Sequence, residues 1–157
     1  MLDPDVPKTS LPDGCSFRGV QVLFEDFLDG GNSRDESRLV RRVAPQPELN
    51  AFGVDGAGPE GSFSLLKSPE SIYEFFANQS SLGYTRHLRF GEILPITPGS
   101  NPSSPFRRPA DGPAADDAVI SIGFTVDLKK DGESLTAKTG KGGINCTTGQ
   151  IYVYNGG

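Results

Sequence analysis

Three glycines in "VDGAGPEGS", Gly56, Gly58 and Gly61, carry the spacing G-x-G-x-x-G. That spacing can cradle a pyrophosphate, provided a buried strand precedes it and a helix opens directly on it. Neither condition is met in the sequence. Pro59 interrupts the motif, and the following "SFSLL" is short and ends before a separately capped helix. The glycines predict a turn between two short strands.

His87 is the single histidine, which excludes multi-histidine metal sites and leaves at most a Cys–His or Ser–His pair for nucleophile chemistry. Arg86 and Arg89 would disfavour its imidazolium and Glu92 would offset them, so a structural or surface histidine is expected. The carboxylate pairs Glu25–Asp26, Asp35–Glu36 and Asp116–Asp117 are adjacent in sequence, and neighbouring side chains on a strand diverge. They are expected on solvated surface. Cys15 and Cys146 have no companions at metal-ligand spacing and are expected as two unlinked thiols in a reducing compartment. Asn78-Gln79-Ser80 and Asn145-Cys146-Thr147 match the glycosylation pattern, here as chance matches. No cofactor and no metal are expected.

The elements that would position these groups follow from composition and pattern. With 157 residues the chain can form one core, and its 20 Gly and 13 Pro suit turns and short strands better than long helices. A net charge of −5 disfavours nucleic acid and anionic membrane surfaces as partners. No apolar run approaches the roughly 20 residues of a membrane span, and the first residues lack the pattern of a classical secretion signal, so a virion or cytoplasmic location is expected.

Residues 1–16 read as an extended N-terminal arm, and 17–157 as a single β domain interrupted by a proline-rich arm at 95–117. "FRGVQVLFEDFL" alternates Val20, Val22 and Phe24 like a strand, and "RLVRRVAPQP" leans the same way. One helix is expected in "SPESIYEFFANQ", with Ser68 as N-cap, Pro69 at its first position and Ile72, Phe75 and Phe76 on one stripe. "GYTRHLRFGEILPI" resumes strand character. "VISIGFTVDL" sets Ile120, Ile122, Phe124, Val126 and Leu128 on one face, and an Asp131–Gly132 turn, "LTAKTG", a loop at "KGGINCTTG" and "QIYVYN" complete an antiparallel meander. The fold class expected is mainly β, an antiparallel sandwich or jelly-roll-like barrel with one short α-helix and extended arms.

The closing "TTGQIYVYNGG" resembles a pattern of phage fibre and other virion accessory proteins, over eleven residues and without the aromatic that often follows. The resemblance implies a structural subunit, such as a capsid decoration protein, and no catalytic residue. The arms would order on neighbouring protein subunits, with Phe106, Arg107 and Arg108 as candidate partner-binding anchors, because aromatic and arginine side chains dominate protein interfaces. The reading leans away from an enzyme. The alternative is a small β-barrel enzyme, cyclase- or isomerase-like, that takes an apolar substrate in its mouth with polar groups such as Tyr84, His87 and Glu92. A carbohydrate-binding sandwich stands third, without the tryptophan that stacks best on sugars.

Overall fold

The computed structural model describes residues 15–49, 51–57, 62–89, 94–95, 112–114 and 116–156. Phe106, Arg107, Arg108, Glu92, Gly58, Gly61 and most of both expected arms lie outside the described residues.

Helix α1 runs over Phe17–Asn32, which corrects the strand expected for residues 17–28. Its buried apolar side chains are Val20, Leu23, Phe24, Phe27 and Leu28. That is the i, i+3, i+4, i+7, i+8 pattern of a helix stripe, and the alternation of Val20, Val22 and Phe24 is incidental to it. Ser16 caps the start by accepting the Gly19 N–H at 3.0 Å. Helix α2, Glu36–Val40, begins at the Asp35 cap and replaces the strand expected around residues 38–47. A Cβ on Gly30 would fall 2.7 Å from the Leu39 nitrogen, so the missing side chain lets these two helices touch.

Strands β1 (Ala51–Asp55) and β2 (Phe63–Leu66) pair antiparallel, as expected. Gly56 sits in their connection, donating its N–H to the Ser62 carbonyl at 3.0 Å. A strand returning from the glycines leaves no helix to face a pyrophosphate. Helix α3, Pro69–Ser81, has the expected Ser68 cap, reinforced by a reciprocal bond from the Ser71 side chain. Strands β3 (Tyr84–Leu88), β4 (Leu94–Pro95), β5 (Val119–Lys130), β6 (Glu133–Asn145) and β7 (Gln150–Gly156) complete the chain. Asp131 and Gly132, at φ 51° and 85°, close the β5–β6 hairpin as anticipated. Strand β6 continues through residues assigned to a loop, because Gly140, Gly142, Gly143 and Ile144 all pair with β5.

The strands form one sheet in the order β2-β1-β7-β6-β5-β3, with β4 also on β5. The mainly β expectation holds. Pairing is antiparallel except where β1 runs parallel to β7. Among the described residues there are three helices rather than one, and they supply the layer facing the sheet. Phe24 packs on Phe124 at 4.8 Å and Phe52 stacks on Tyr154 at 4.4 Å, with Phe27 and Phe76 closing the cluster. Each buried ring contributes about 2 kcal/mol. The alternating face of β5 identified from sequence, Ile120 to Leu128, is buried throughout.

Cys15 and Cys146 form a disulfide, Cα–Cα 5.3 Å, which corrects the expectation of two unlinked thiols. One cysteine immediately precedes α1 and the other follows β6, so helix packing on the sheet brings together residues 131 positions apart.

Candidate functional site

The turn between β6 and β7 is organised by Asn145, which is fully buried. Its Oδ1 accepts the N–H groups of Thr147 and Thr148 at 3.0 and 3.2 Å, and its Nδ2 donates to Asp117 at 2.8 Å and toward Glu48 at 3.5 Å. Burial and the neighbouring Asp117 raise the Glu48 carboxyl above its ordinary pKa, and the Asn145 bond partly offsets them. Asn145 cannot serve as a glycan acceptor in this arrangement. Gly149, at φ 70°, ends the turn with its N–H on the Asn145 carbonyl.

This turn forms one wall of a cleft of about 270 Å³. The first turns of α1 form the opposite wall, with Val20, Val22 and Leu23, and Ile144 contributes from β6. Ser16, Gly19, Cys146 and Gly149 complete the rim. The disulfide joins the two walls. Arg42 is the charged side chain in the lining. Its backbone is fixed by the Ile151 N–H on its carbonyl at 2.9 Å, and residue 43 forms a parallel bridge to Ile151.

The Arg42 guanidinium is positioned from the other side by Asp26. Nε lies 2.8 Å from Asp26 Oδ2, and Nη1 reaches the Gly149 carbonyl at 3.5 Å. Arg38 and Arg41 bond the same carboxylate at 2.5 and 2.9 Å, and Arg38 also approaches Asp29 at 3.5 Å. Burial pushes the Asp26 carboxyl up, but the hydrogen bonds from Arg38, Arg42 and Arg41 outweigh it and hold Asp26 well below the usual carboxylate range. Arg38 is also attracted by Asp35, so the three guanidinium groups share Asp26, Asp29 and Asp35, with Asp29 and Asp35 acting on Arg38 and Arg42 paired to Asp26 beside the cleft. The expectation of a solvated Glu25–Asp26 pair fails at Asp26, which is buried and paired. The missed signal is the spacing of Arg38, Arg41 and Arg42, i, i+3, i+4, which brings three side chains to one point on a helical turn.

A second polar group lies inside the aromatic cluster. Arg86 is 1% exposed and donates to the Asp55 carbonyl at 2.8 Å and to Gln79 Oε1 at 3.3 Å, with its guanidinium over the Phe76 and Phe75 rings. Asn32 brackets its backbone with two bonds. Burial lowers the Arg86 pKa and raises that of Tyr154. These contacts knit α1, α3, β1 and β3 together.

Of the polar groups expected for an enzyme, Tyr84 and His87 do not converge, and Glu92 lies outside the described residues. Tyr84 and His87 stand three positions apart on β3 and so on opposite faces, while the side chain of Tyr84 receives the Lys130 ammonium at 4.5 Å. His87 bonds Thr85 at 3.0 Å; burial and Lys129 lower its pKa, with Asp29 and Asp127 opposing. It is a surface-side histidine, as expected, and Arg86 faces away from it.

No protein-family model and no curated protein matches this sequence. Solved structures do match its fold. A protein of unknown function with a cystatin-like fold from Methylobium petroleophilum PM1 aligns with TM-score 0.51 at 13% identity, covering 90% of this chain and 76% of its own. A candidate dehydratase of the NTF2-like family from Streptomyces avermitilis aligns with TM-score 0.56 at 7% identity, covering 88% of this chain and 92% of its own. The fold is thus NTF2-like. This overturns the reading as a capsid decoration or other virion subunit, since the fold found is that of an NTF2-like candidate dehydratase. Within the closing residues that carry that reading, Gln150–Gly156 form β7, an interior strand between β1 and β6. Among the described residues no helix is long and apolar enough to cross a membrane.

Proposed function

We propose that this chain is a small-molecule-binding protein that takes a largely apolar ligand into the cleft between α1 and the β6–β7 turn. The observation carrying this reading is the cleft itself, with walls of Val20, Leu23 and Ile144 and the cation Arg42. Pockets of this kind combine apolar walls with few polar groups that fix orientation. The NTF2-like fold of an assigned candidate dehydratase supports a ligand-handling role over a scaffold role. Among the described residues the lining offers a guanidinium and the Ser16 hydroxyl but no carboxylate or imidazole, so the geometry supports binding rather than proton abstraction. The disulfide favours work in an oxidising compartment over the reducing cytoplasm.

The test is calorimetric titration with 1-octanol of the unmodified protein and of Val22→Glu. Val22 is 45% exposed, so the fold tolerates the change while a carboxylate enters the cleft wall. Saturable binding that weakens about tenfold in the variant is expected. Binding unaffected by Val22→Glu would contradict the assignment.

A further inference from the structure

We infer that the ligand of this cleft is an aliphatic carboxylate, its chain along the α1 wall and its head on Arg42. The inference rests on the cleft reading above and names the chemical class it selects. Size sets the first limit. A dry apolar cavity of roughly 150 Å³ admits benzene, so a space of about 270 Å³ suits about ten non-hydrogen atoms, an eight-carbon chain with its head group.

Charge sets the second. Asp26 Oδ2 is shared between Arg42 and Arg41, and Oδ1 is taken by Arg38. Asp29 and Asp35 act on Arg38 rather than on Arg42, so Arg42 shares Asp26 with two other cations and is the one that lines the cleft. Beyond Asp26, Arg42 has one long contact, to the Gly149 carbonyl. Gly149 matters here because a Cβ at this position would lie 3.2 Å from Arg42 Nη1, so glycine leaves the guanidinium face clear.

Geometry sets the third. A guanidinium held through Nε keeps its terminal nitrogens for a planar anion, and carboxylate fits that fork in two parallel bonds. The Ser16 hydroxyl accepts the Gly19 N–H and retains its own proton to donate into the same lining. An ammonium head would meet the like charge of Arg42, and a neutral alcohol would forgo the charge-assisted bonds.

The experiment is calorimetric titration of the intact, oxidised protein with octanoate, 1-octanol, octylamine and acetate at pH 7, repeated on Arg42→Met. Octanoate is expected to bind at least about tenfold more tightly than octanol. Octylamine and acetate should bind more weakly still, one lacking the right charge and the other the chain. Arg42→Met should erase the preference for octanoate and leave octanol unchanged. The octanoate and octanol comparison uses unmodified protein, so a variant that fails to fold does not remove the test. Equal affinity for octanoate and octanol, or a preference surviving Arg42→Met, overturns the head-group assignment while leaving the cleft reading intact. Failure of both to bind overturns the cleft reading itself.

Discussion

Arg42 and Asp26 meet through Nε and Oδ2 at 2.8 Å, which couples the charged end of the cleft to the buried face of α1. The same carboxylate gathers Arg38 and Arg41, so one side chain organises the segment that follows α1 and sets the direction of the cleft's cation. A lysine at position 42 would keep the charge but lose the fork that reaches Asp26 and the cleft together.

Asp26→Asn is predicted to destabilise the fold by about 2 kcal/mol, since three guanidinium groups lose their common anion. The effect has a definite pH signature. Asp26 is held below its ordinary value of 3.8, so its contribution is complete above about pH 4 and is lost as pH falls toward the folded-state value. Urea unfolding from pH 6 to pH 2 should show wild type and Asp26→Asn converging at the acid end. A constant gap would contradict the pairing.

Glu48 runs the other way. Its carboxyl is raised by burial and by Asp117, so ionising it costs stability as pH climbs from its ordinary value of 4.5 through the folded-state value. Glu48→Gln should therefore raise the melting temperature at pH 7 and lose that advantage at pH 4. Asn145 can still donate to the glutamine oxygen.

Reduction of Cys15–Cys146, or the double change to alanine, is predicted to cost about 3 kcal/mol, because the bridge closes a loop of 131 positions in the unfolded chain. It should also weaken octanol binding, since the bridge joins the two walls of the cleft. Chemical unfolding and titration with and without reductant measure both. Unchanged binding in a reduced but folded protein would show that the walls hold without the bridge.

Arg86→Met is predicted to destabilise the fold by about 3 kcal/mol without altering octanoate affinity. Arg86 serves the Asp55 carbonyl and Gln79 within the core, away from the residues lining the cleft. A selective loss of octanoate binding in a stable Arg86→Met protein would move the site to the interior.

Much of the sheet was legible. Strand β5 announced itself by strict alternation, the β5–β6 turn by Asp131–Gly132, and α3 by its Ser68–Pro69 start. The first helix reads as a strand because Val20, Val22 and Phe24 satisfy a period of two, while Leu23 and Phe27, which decide for the helix, sit off that pattern. The candidate site was illegible for a related reason. Its walls come from α1, residue 42 and the β6–β7 turn, and the disulfide that joins them depends on tertiary packing that no local spacing encodes. Asp26 looked like half of an exposed acidic pair until α1 turned it toward three arginines.

The most direct measurement is an amide-resolved NMR titration of the oxidised protein with octanoate. Saturable shifts concentrated at Gly19, Val20, Leu23, Ile144 and Gly149 are the predicted result. Shifts concentrated instead around Arg86, Phe76 and Tyr154, or no saturable response at all, would contradict the cleft as the binding site.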